Sequence, residues 1–184
     1  MASVLVPLAP GCEELEAVTI IDLLRRAGIE VVVAGLTSGP VEASRGVVLL
    51  PDITLDEVLE RDFDMVVLPG GGPGSDALNA DARIHAILRR HAAAGRYTAA
   101  ICAAPKVLAR AGLLEGKRVT AFPGVLEASP PNGATLTGSA LEVDGRIVTS
   151  RGPGTAMDFA LALIELLLGA EAREAVEAPL QRPR

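Results

Sequence analysis

The sequence has few aromatic residues and few positive charges. Tryptophan is absent, and the aromatic side chains are one tyrosine and three phenylalanines, so aliphatic side chains must supply most of the core. The 17 Lys and Arg residues are outnumbered by 23 Asp and Glu, which gives a net charge of −6. A nucleic-acid-binding surface needs clustered positive charge. We therefore expect no specific nucleic-acid partner.

Cysteine and long apolar runs are also scarce, which restricts the cellular setting. Cys12 and Cys102 are the only cysteines; they make no disulfide framework and suit a reducing cytoplasm. The apolar run 4–10 has no Lys or Arg before it, unlike a signal peptide. The run 159–170 contains Glu165 and is shorter than the ~18 residues that a spanning helix needs. We expect a soluble cytoplasmic protein with no membrane partner.

The sequence offers no clear metal or cofactor site. His85 and His91 are the only histidines; they share one charged helical pattern, where we expect surface positions, so a histidine-containing triad has no candidate. Neither they nor the two cysteines have a metal-ligand spacing. The glycine run 70–72 lacks both the Lys-Ser/Thr of a phosphate loop and the dinucleotide fingerprint. We expect no metal and no cofactor.

Short β-branched runs alternate with longer helical patterns along the whole chain. The predicted strands are 3–9, 29–36, 47–50, 64–68 and 97–101, with a hairpin over 141–150 that turns at Asp144-Gly145. The predicted helices are 13–26, 54–60, 81–94, 106–110, 154–168 and 171–176. This alternation predicts an α/β domain over residues 1–184, with a mostly parallel sheet and helices on both faces.

Three segments follow predicted strands and differ from ordinary turns. They are residues 11–16, 68–74 and 100–105. Parallel strands end at one edge of a sheet, where α/β proteins place their chemistry. We therefore expect the three segments to converge.

Cys102 lies between a predicted strand and a predicted helix whose first turn suits Pro105. A nucleophile at such a turn is exposed by the geometry, and a helix N terminus lowers the pKa of a thiol. The alternative is a buried structural cysteine. Cys12, after the first strand, is either a resolving partner for oxidised Cys102 or an incidental small residue.

Glu16 lies near the start of the first predicted helix, where its carboxyl could point across the strand ends toward Cys102. If both are buried, they titrate as a coupled pair, as a thiolate with a protonated acid. A solvated glutamate favoured by the helix dipole is the alternative, and Glu13 and Glu14 compete for the role. Backbone N–H groups of the run 70–72 could form an oxyanion site with the N–H of Ala103.

Together these motifs resemble the DJ-one branch of the PfpI superfamily, the parkinsonism-associated deglycases. The likeness runs from about residue 2 to residue 180 and is carried by Glu-Glu-Leu-Glu, Val-Leu-Pro-Gly-Gly, Ala-Ile-Cys-Ala-Ala-Pro and Thr-Ser-Arg-Gly-Pro-Gly-Thr. The resemblance implies a flavodoxin-like sandwich, usually a homodimer, with an easily oxidised cysteine.

The resemblance also implies roles for particular residues. Cys102 matches the nucleophile and Glu16 the acid that is hydrogen-bonded to it, while Gly71 and Ala103 match the residues whose N–H groups face the sulfur or an oxyanion. Further matches lie at the pocket, its rim or the dimer interface: Arg26, Arg45, Ser150, Arg151 and Pro153.

The implied activity is cofactor-independent conversion of methylglyoxal to lactate, or removal of early glycation adducts from amines and thiols. The alternatives are an oxidative-stress sensor or chaperone-like protein acting through oxidation of Cys102, and a dimeric scaffold with a vestigial site. Two departures from the family pattern matter. Phe122 stands where several members have a histidine, so proton transfer rests on Glu16 alone. Ala103 stands where the protease-like branch has a histidine, so a peptidase would lack its base.

Overall fold

The computed structural model describes residues 1–182. Within this range the strands are β1 (Ser3–Leu8), β2 (Glu30–Gly35), β3 (Val41–Glu42), β4 (Val48–Leu49), β5 (Ile53–Thr54), β6 (Met65–Leu68), β7 (Tyr97–Ile101), β8 (Arg118–Val119), β9 (Thr135–Leu136), β10 (Leu141–Asp144) and β11 (Ile147–Ser150). The helices are α1 (Glu14–Arg26), α2 (Gly72–Ala80), α3 (Ala82–Ala93), α4 (Pro105–Arg110), α5 (Ala156–Leu168) and α6 (Ala170–Glu177), and 3₁₀ turns cover Leu55–Val58, Pro153–Thr155 and Ala178–Leu180. No helix in this range has the length and apolar character needed to cross a bilayer.

A seven-stranded sheet forms the centre, with the strand order β10-β11-β7-β6-β1-β2-β5. All neighbouring pairs are parallel except the β10–β11 hairpin. The aliphatic runs form the inner strands because both faces of such a sheet are buried. Each residue of β6 and the last four residues of β7 are buried. The predicted α/β flavodoxin-like sandwich, mostly parallel with helices on both faces, is confirmed.

Two apolar clusters pack on opposite faces of the sheet. Alternate residues of β1 point into different clusters: Val4 and Val6 join side chains from α1 and α5 on one face, and Leu5 joins side chains from α3 and α4 on the other. This period of two is the ordinary side-chain alternation of a strand. Helices α1, α5 and α6 therefore cover one face, and α2, α3 and α4 cover the other.

Some element boundaries differ from the prediction. The segment 68–74 was expected to be a turn after a strand, but helix α2 begins within it at Gly72 and continues to Ala80, where no helix was predicted. The predicted helix over 54–60 is only a 3₁₀ turn over Leu55–Val58. The predicted strand 47–50 is reduced to β4, which pairs with β3 in a separate two-stranded ribbon.

The expectation that both histidines lie on the surface is wrong. His85 and His91 project from α3 into the protein and are 8% and 1% exposed. His91 accepts the Phe63 N–H through Nε2 at 3.1 Å and bonds the Ile87 carbonyl through Nδ1 at 2.9 Å. Burial lowers its pKa, so His91 is a neutral structural residue. The charged neighbours on α3 concealed this apolar position in the sequence.

Candidate active site

The three segments that follow β1, β6 and β7 do converge at one edge of the sheet. The N–H of Glu13 donates to the Gly70 carbonyl at 3.0 Å. A Cβ on Gly11 would lie 2.6 Å from Pro73 Cβ, and a Cβ on Gly71 would lie 2.6 Å from the Glu13 nitrogen. Glycine is needed at these contacts because the two backbones touch.

Cys102 occupies the turn between β7 and α4 in a left-handed conformation, with φ 64. This conformation is unfavourable for a residue with a Cβ and is concentrated at functional turns. Two backbone hydrogen bonds hold it there: the Cys102 N–H donates to the Ser150 carbonyl at 2.9 Å, and the Phe122 N–H donates to the Cys102 carbonyl at 2.8 Å. The side chain is 9% exposed, so the thiol is nearly enclosed.

Glu16, in the first turn of α1, is completely buried. Its Oε2 accepts the Gly70 N–H at 2.8 Å. Its Oε1 is buried and accepts no hydrogen bond from a backbone N–H or a hydroxyl of residues 1–182. A buried polar atom without such a bond is costly and concentrates at functional positions. One oxygen thus fixes the carboxyl, and the other is available for a proton or a substrate.

Gly70 separates Glu16 from Cys102. A Cβ on Gly70 would lie 2.5 Å from Glu16 Oε2 and 2.6 Å from Cys102 Cβ, so both side chains flank the same point. The sequence had indicated the glycine run but had assigned Gly71, not Gly70, to the site. The missed signal was the position of Gly70 two residues after the end of a buried strand, where a missing Cβ leaves room for two side chains.

Both acidic groups of the site ionise less readily than they would in water. Burial raises the pKa of the Glu16 carboxyl to about 7, although its hydrogen bonds with the Gly70 N–H and with Cys102 act to lower it. Burial and the facing Glu16 carboxylate raise the pKa of the Cys102 thiol to about 12, whereas the N–H groups of Gly71 and Ala103 act to lower it. The pair therefore titrates as a unit that resists a second negative charge.

We expected a helix N terminus to lower the pKa of Cys102, but this pKa is raised. Helix α4 has six residues and begins three residues after Cys102, so its dipole is small at the sulfur. The resting form of the pair, predicted as a thiolate beside a protonated acid, stays a prediction, because the two groups titrate as one coupled unit. A carboxyl that titrates near pH 7 is suited to exchange a proton with the sulfur during the reaction.

We predict that Gly70→Ala damages the site and the fold together. The new methyl group would overlap Glu16 and Cys102, and overpacking of this kind costs about 1–3 kcal/mol. We expect a lower urea midpoint and a changed rate of Cys102 alkylation by iodoacetamide. Gly72→Ala is the matched control because its Cβ would meet nothing within 4 Å. Equal midpoints and equal alkylation rates for the two variants would contradict the close packing described above.

The end of β11 reaches the site through its backbone. Ser150 supplies the carbonyl that accepts the Cys102 N–H, while its hydroxyl bonds the Ala140 carbonyl at 2.8 Å and Thr155 Oγ1 at 2.6 Å. Arg151 is exposed, and its guanidinium donates to the Gly138 carbonyl. Pro153 begins the 3₁₀ turn that leads into α5. Of these residues Ser150 holds the turn at Cys102, and the placement of Arg151 and Pro153 on the rim of the pocket stays a prediction.

Of the two arginines expected near the pocket or the dimer interface, Arg26 lies far from Cys102. It is the last residue of α1 and pairs with Asp22 at 2.8 Å. Glu16 is ten residues earlier on the same helix, a separation of about 15 Å at 1.5 Å per residue. Within one protomer Arg26 therefore does not reach this pocket, and its placement near a dimer interface stays a prediction. Arg45 is nearer in the fold, since its N–H donates to Glu14 Oε1 at 2.8 Å.

Glu13 and Glu14 have a different role from Glu16. Both accept the Ser44 hydroxyl at 2.9 Å, and Ser44 in turn donates its N–H to the Cys12 carbonyl at 2.8 Å. They tie the loop after β3 to the start of α1. Of the three carboxyl groups, that of Glu16 accepts the Gly70 N–H and faces Cys102, whereas those of Glu13 and Glu14 bind Ser44.

Cys12 is a free, buried thiol, and burial raises its pKa to about 11. A thiol that resists ionisation is a poor attacking group in disulfide exchange. Across residues 1–182 there is no cluster of three or more His, Cys, Asp or Glu side chains arranged to hold a metal ion. Cys102 and Glu16, with the N–H groups of Gly71 and Ala103 at the sulfur, are thus the candidate reactive groups at this edge of the sheet.

Comparisons with known proteins match most of the chain to one family. The model of the DJ-1/PfpI family matches residues 2–166. The chain is 46% identical over 170 residues to protein dj-1beta of Drosophila melanogaster, covering 92% of this chain and 91% of the relative. It spans only 46% of the longer DJ-1 homolog A of Arabidopsis thaliana.

A Caenorhabditis elegans relative bears the name glutathione-independent glyoxalase DJR-1.2. It is 35% identical over 179 residues, which cover 97% of this chain and 95% of that protein. The crystal structure of Drosophila melanogaster DJ-1beta superposes with a TM-score of 0.93 at 43% identity, covering 100% of this chain and 99% of that one. The sequence and the fold thus agree that the chain belongs to the DJ-1/PfpI family.

Proposed function

We propose that this protein is a cysteine-dependent, cofactor-independent glyoxalase or deglycase. Its substrates are small 2-oxoaldehydes such as methylglyoxal, or the early adducts that they form on amines and thiols. The observation that carries the proposal is the buried pair of Cys102 and Glu16, with the N–H groups of Gly71 and Ala103 facing the sulfur. The name of the C. elegans relative supports the same reaction class.

The first step is addition of the thiol to the aldehyde. Glu16 accepts the proton of Cys102 while the sulfur forms a bond to the aldehyde carbon. The negative charge that develops on the aldehyde oxygen is stabilised by the Gly71 and Ala103 N–H groups. Proton return from Glu16 gives a neutral hemithioacetal. The raised pKa of Glu16, about 7, suits it to both halves of this exchange.

The second step moves hydrogen between the two substrate carbons. Glu16 removes the proton from the former aldehyde carbon, an enediol forms, and a proton is delivered to the neighbouring carbon. The product is a thioester of the 2-hydroxy acid on Cys102. Water cleaves this thioester, releases lactate and restores the thiol, so the net change is addition of one water molecule. Phe122 offers no proton, so Glu16 performs each transfer.

We expect the purified protein to convert methylglyoxal to lactate in buffer without glutathione. The reaction is followed by proton NMR in D₂O, where an enediol intermediate that exchanges with solvent places deuterium at C2 of lactate. Protein inactivated beforehand with iodoacetamide is the control for uncatalysed conversion. Lactate formation no faster than in the control contradicts the proposal. Titration of Cys102 with peroxide, followed by intact mass, would then test the redox-sensor alternative.

A further inference from the structure

Phe122 differs from the other aromatic residues in its surroundings. Phe63 and Phe159 are completely buried, and Tyr97 is partly buried at the start of β7. Phe122 is 48% exposed. An isolated exposed apolar side chain needs no explanation by itself, so the position of this ring relative to the thiol decides whether it matters.

The backbone fixes Phe122 directly beside the reactive turn. Its N–H donates to the Cys102 carbonyl at 2.8 Å, and its own carbonyl accepts the N–H of Val125 at 3.0 Å. On the other side of the turn, the Cys102 N–H donates to the Ser150 carbonyl at 2.9 Å. Cys102 is therefore bracketed by residues 122 and 150 within one continuous set of hydrogen bonds.

The ring lies across this bracket. The nearest atoms to a Cβ placed on Gly152 would be Phe122 Cδ2 at 3.4 Å and Cε2 at 3.9 Å. The backbone of Phe122 lies at the Cys102 carbonyl. Gly152 is two residues after Ser150, which binds the Cys102 N–H, so the ring reaches from one side of the Cys102 turn to the other. The glycine offers it a flat backbone surface, and the remaining surface of the ring stays open to solvent.

We propose that Phe122 sets the substrate preference of the site, favouring 2-oxoaldehydes with an aryl or bulky apolar substituent over methylglyoxal. This inference rests on the proposed function, since it concerns a substrate bound covalently to Cys102. The carbonyl carbons of such a substrate sit at the sulfur, and the substituent must extend along the rim. An aromatic ring held on that rim gains contact area and offset stacking from an aryl group, which a methyl group is too small to use.

The test compares phenylglyoxal with methylglyoxal in wild type, Phe122→Ala and Phe122→Leu. Initial rates are taken before phenylglyoxal modifies arginines. We expect the ratio of kcat/KM for phenylglyoxal to that for methylglyoxal to fall about tenfold or more in Phe122→Ala, in the range expected for an apolar pocket contact. Phe122→Leu keeps apolar bulk without the ring, so its ratio is expected to fall less.

The outcomes separate the inference from the function on which it rests. Turnover of both aldehydes by wild type, with the same ratio in all three proteins, overturns the role of Phe122 but leaves the reaction intact. Turnover of neither aldehyde by wild type means that the proposed function itself has failed. If Phe122→Ala does not fold, an unchanged ratio in Phe122→Leu overturns the inference, and a lowered ratio supports it.

Discussion

The free energy of unfolding of wild type is expected to fall by about 3 kcal/mol between pH 4 and pH 8 because Glu16 ionises. Replacing Glu16 with glutamine is expected to abolish this fall. The expectation follows from the pKa of the buried carboxyl, which rises from 4.5 to about 7 on folding, at about 1.4 kcal/mol per pH unit. The folded state binds this proton more tightly than the unfolded state. Wild-type stability therefore falls as the pH rises from about 4.5 to about 7 and loses no more from this group above that range.

Glutamine removes the ionisation and keeps a side-chain oxygen for the Gly70 N–H, which Glu16 Oε2 accepts at 2.8 Å. Its amide N–H groups add a pH-independent cost if they remain unpaired. Comparing the two pH values isolates the titration from this cost, because the amide does not ionise.

The measurement is urea unfolding of wild type and Glu16→Gln at pH 4, 6 and 8. Glu174→Gln is the matched control, since it removes the same charge from an exposed position on α6. We expect the Glu16→Gln curve to lose the fall in stability between pH 4 and pH 8, and the control to follow wild type. Parallel pH profiles for all three proteins would show that Glu16 is not held at a raised pKa.

Replacing Cys102 with serine is expected to lower kcat/KM for methylglyoxal by a factor of about 10³ or more, the scale seen when an enzyme nucleophile is removed. Serine is close in size, and the N–H groups of Gly71 and Ala103 that face the sulfur would face a hydroxyl oxygen instead. The fold should therefore survive. A hydroxyl is a far weaker nucleophile than a thiol, and Glu16 with a pKa of about 7 is too weak a base to ionise it.

Cys12→Ser is the matched control for this loss. Cys12 is also a free and buried thiol. Its carbonyl binds the loop after β3, and its side chain is not part of the Cys102 pair. We expect Cys12→Ser to keep its activity and Cys102→Ser to lose it, with kcat/KM and one melting curve recorded for each. Comparable losses in both variants would indicate damage to the fold and not removal of a nucleophile.

Much of the architecture could be predicted from local pattern. The aliphatic runs of β1, β6 and β7 are strands because a doubly covered parallel sheet buries both of their faces. The convergence of the three following segments was predictable as well, because the carboxyl ends of parallel strands share one edge. These expectations needed only the order of elements along the chain.

Helix α2 was not predictable in the same way. It begins Gly72-Pro73-Gly74 and contains Asn79, all poor helix formers in isolation. The helix forms because its surroundings require it: Leu78 is buried, and Gly74 lies so close to the Cys12 backbone that a Cβ on it would be 2.6 Å from Cys12 Cα. Tertiary contacts of this kind leave no periodic signal in a nine-residue segment.

The chemistry of the site was less predictable than its location. The direction of the Cys102 pKa depends on how burial, the Glu16 carboxylate and two N–H groups balance in space, and no spacing in the sequence specifies that balance. The same holds for Gly70, whose role is defined by two side chains that meet beside it.

The most direct test of the account is the rate of lactate formation from methylglyoxal by Glu16→Gln, measured at pH 7 beside wild type. If Cys102 and Glu16 act as one unit, glutamine removes the carboxyl that accepts the thiol proton. The account then predicts that Glu16→Gln makes lactate at least about 100-fold more slowly than wild type, the usual contribution of a positioned acid–base group. The same variant should not lose stability between pH 4 and pH 8 as wild type does. A variant that makes lactate at the wild-type rate would contradict it.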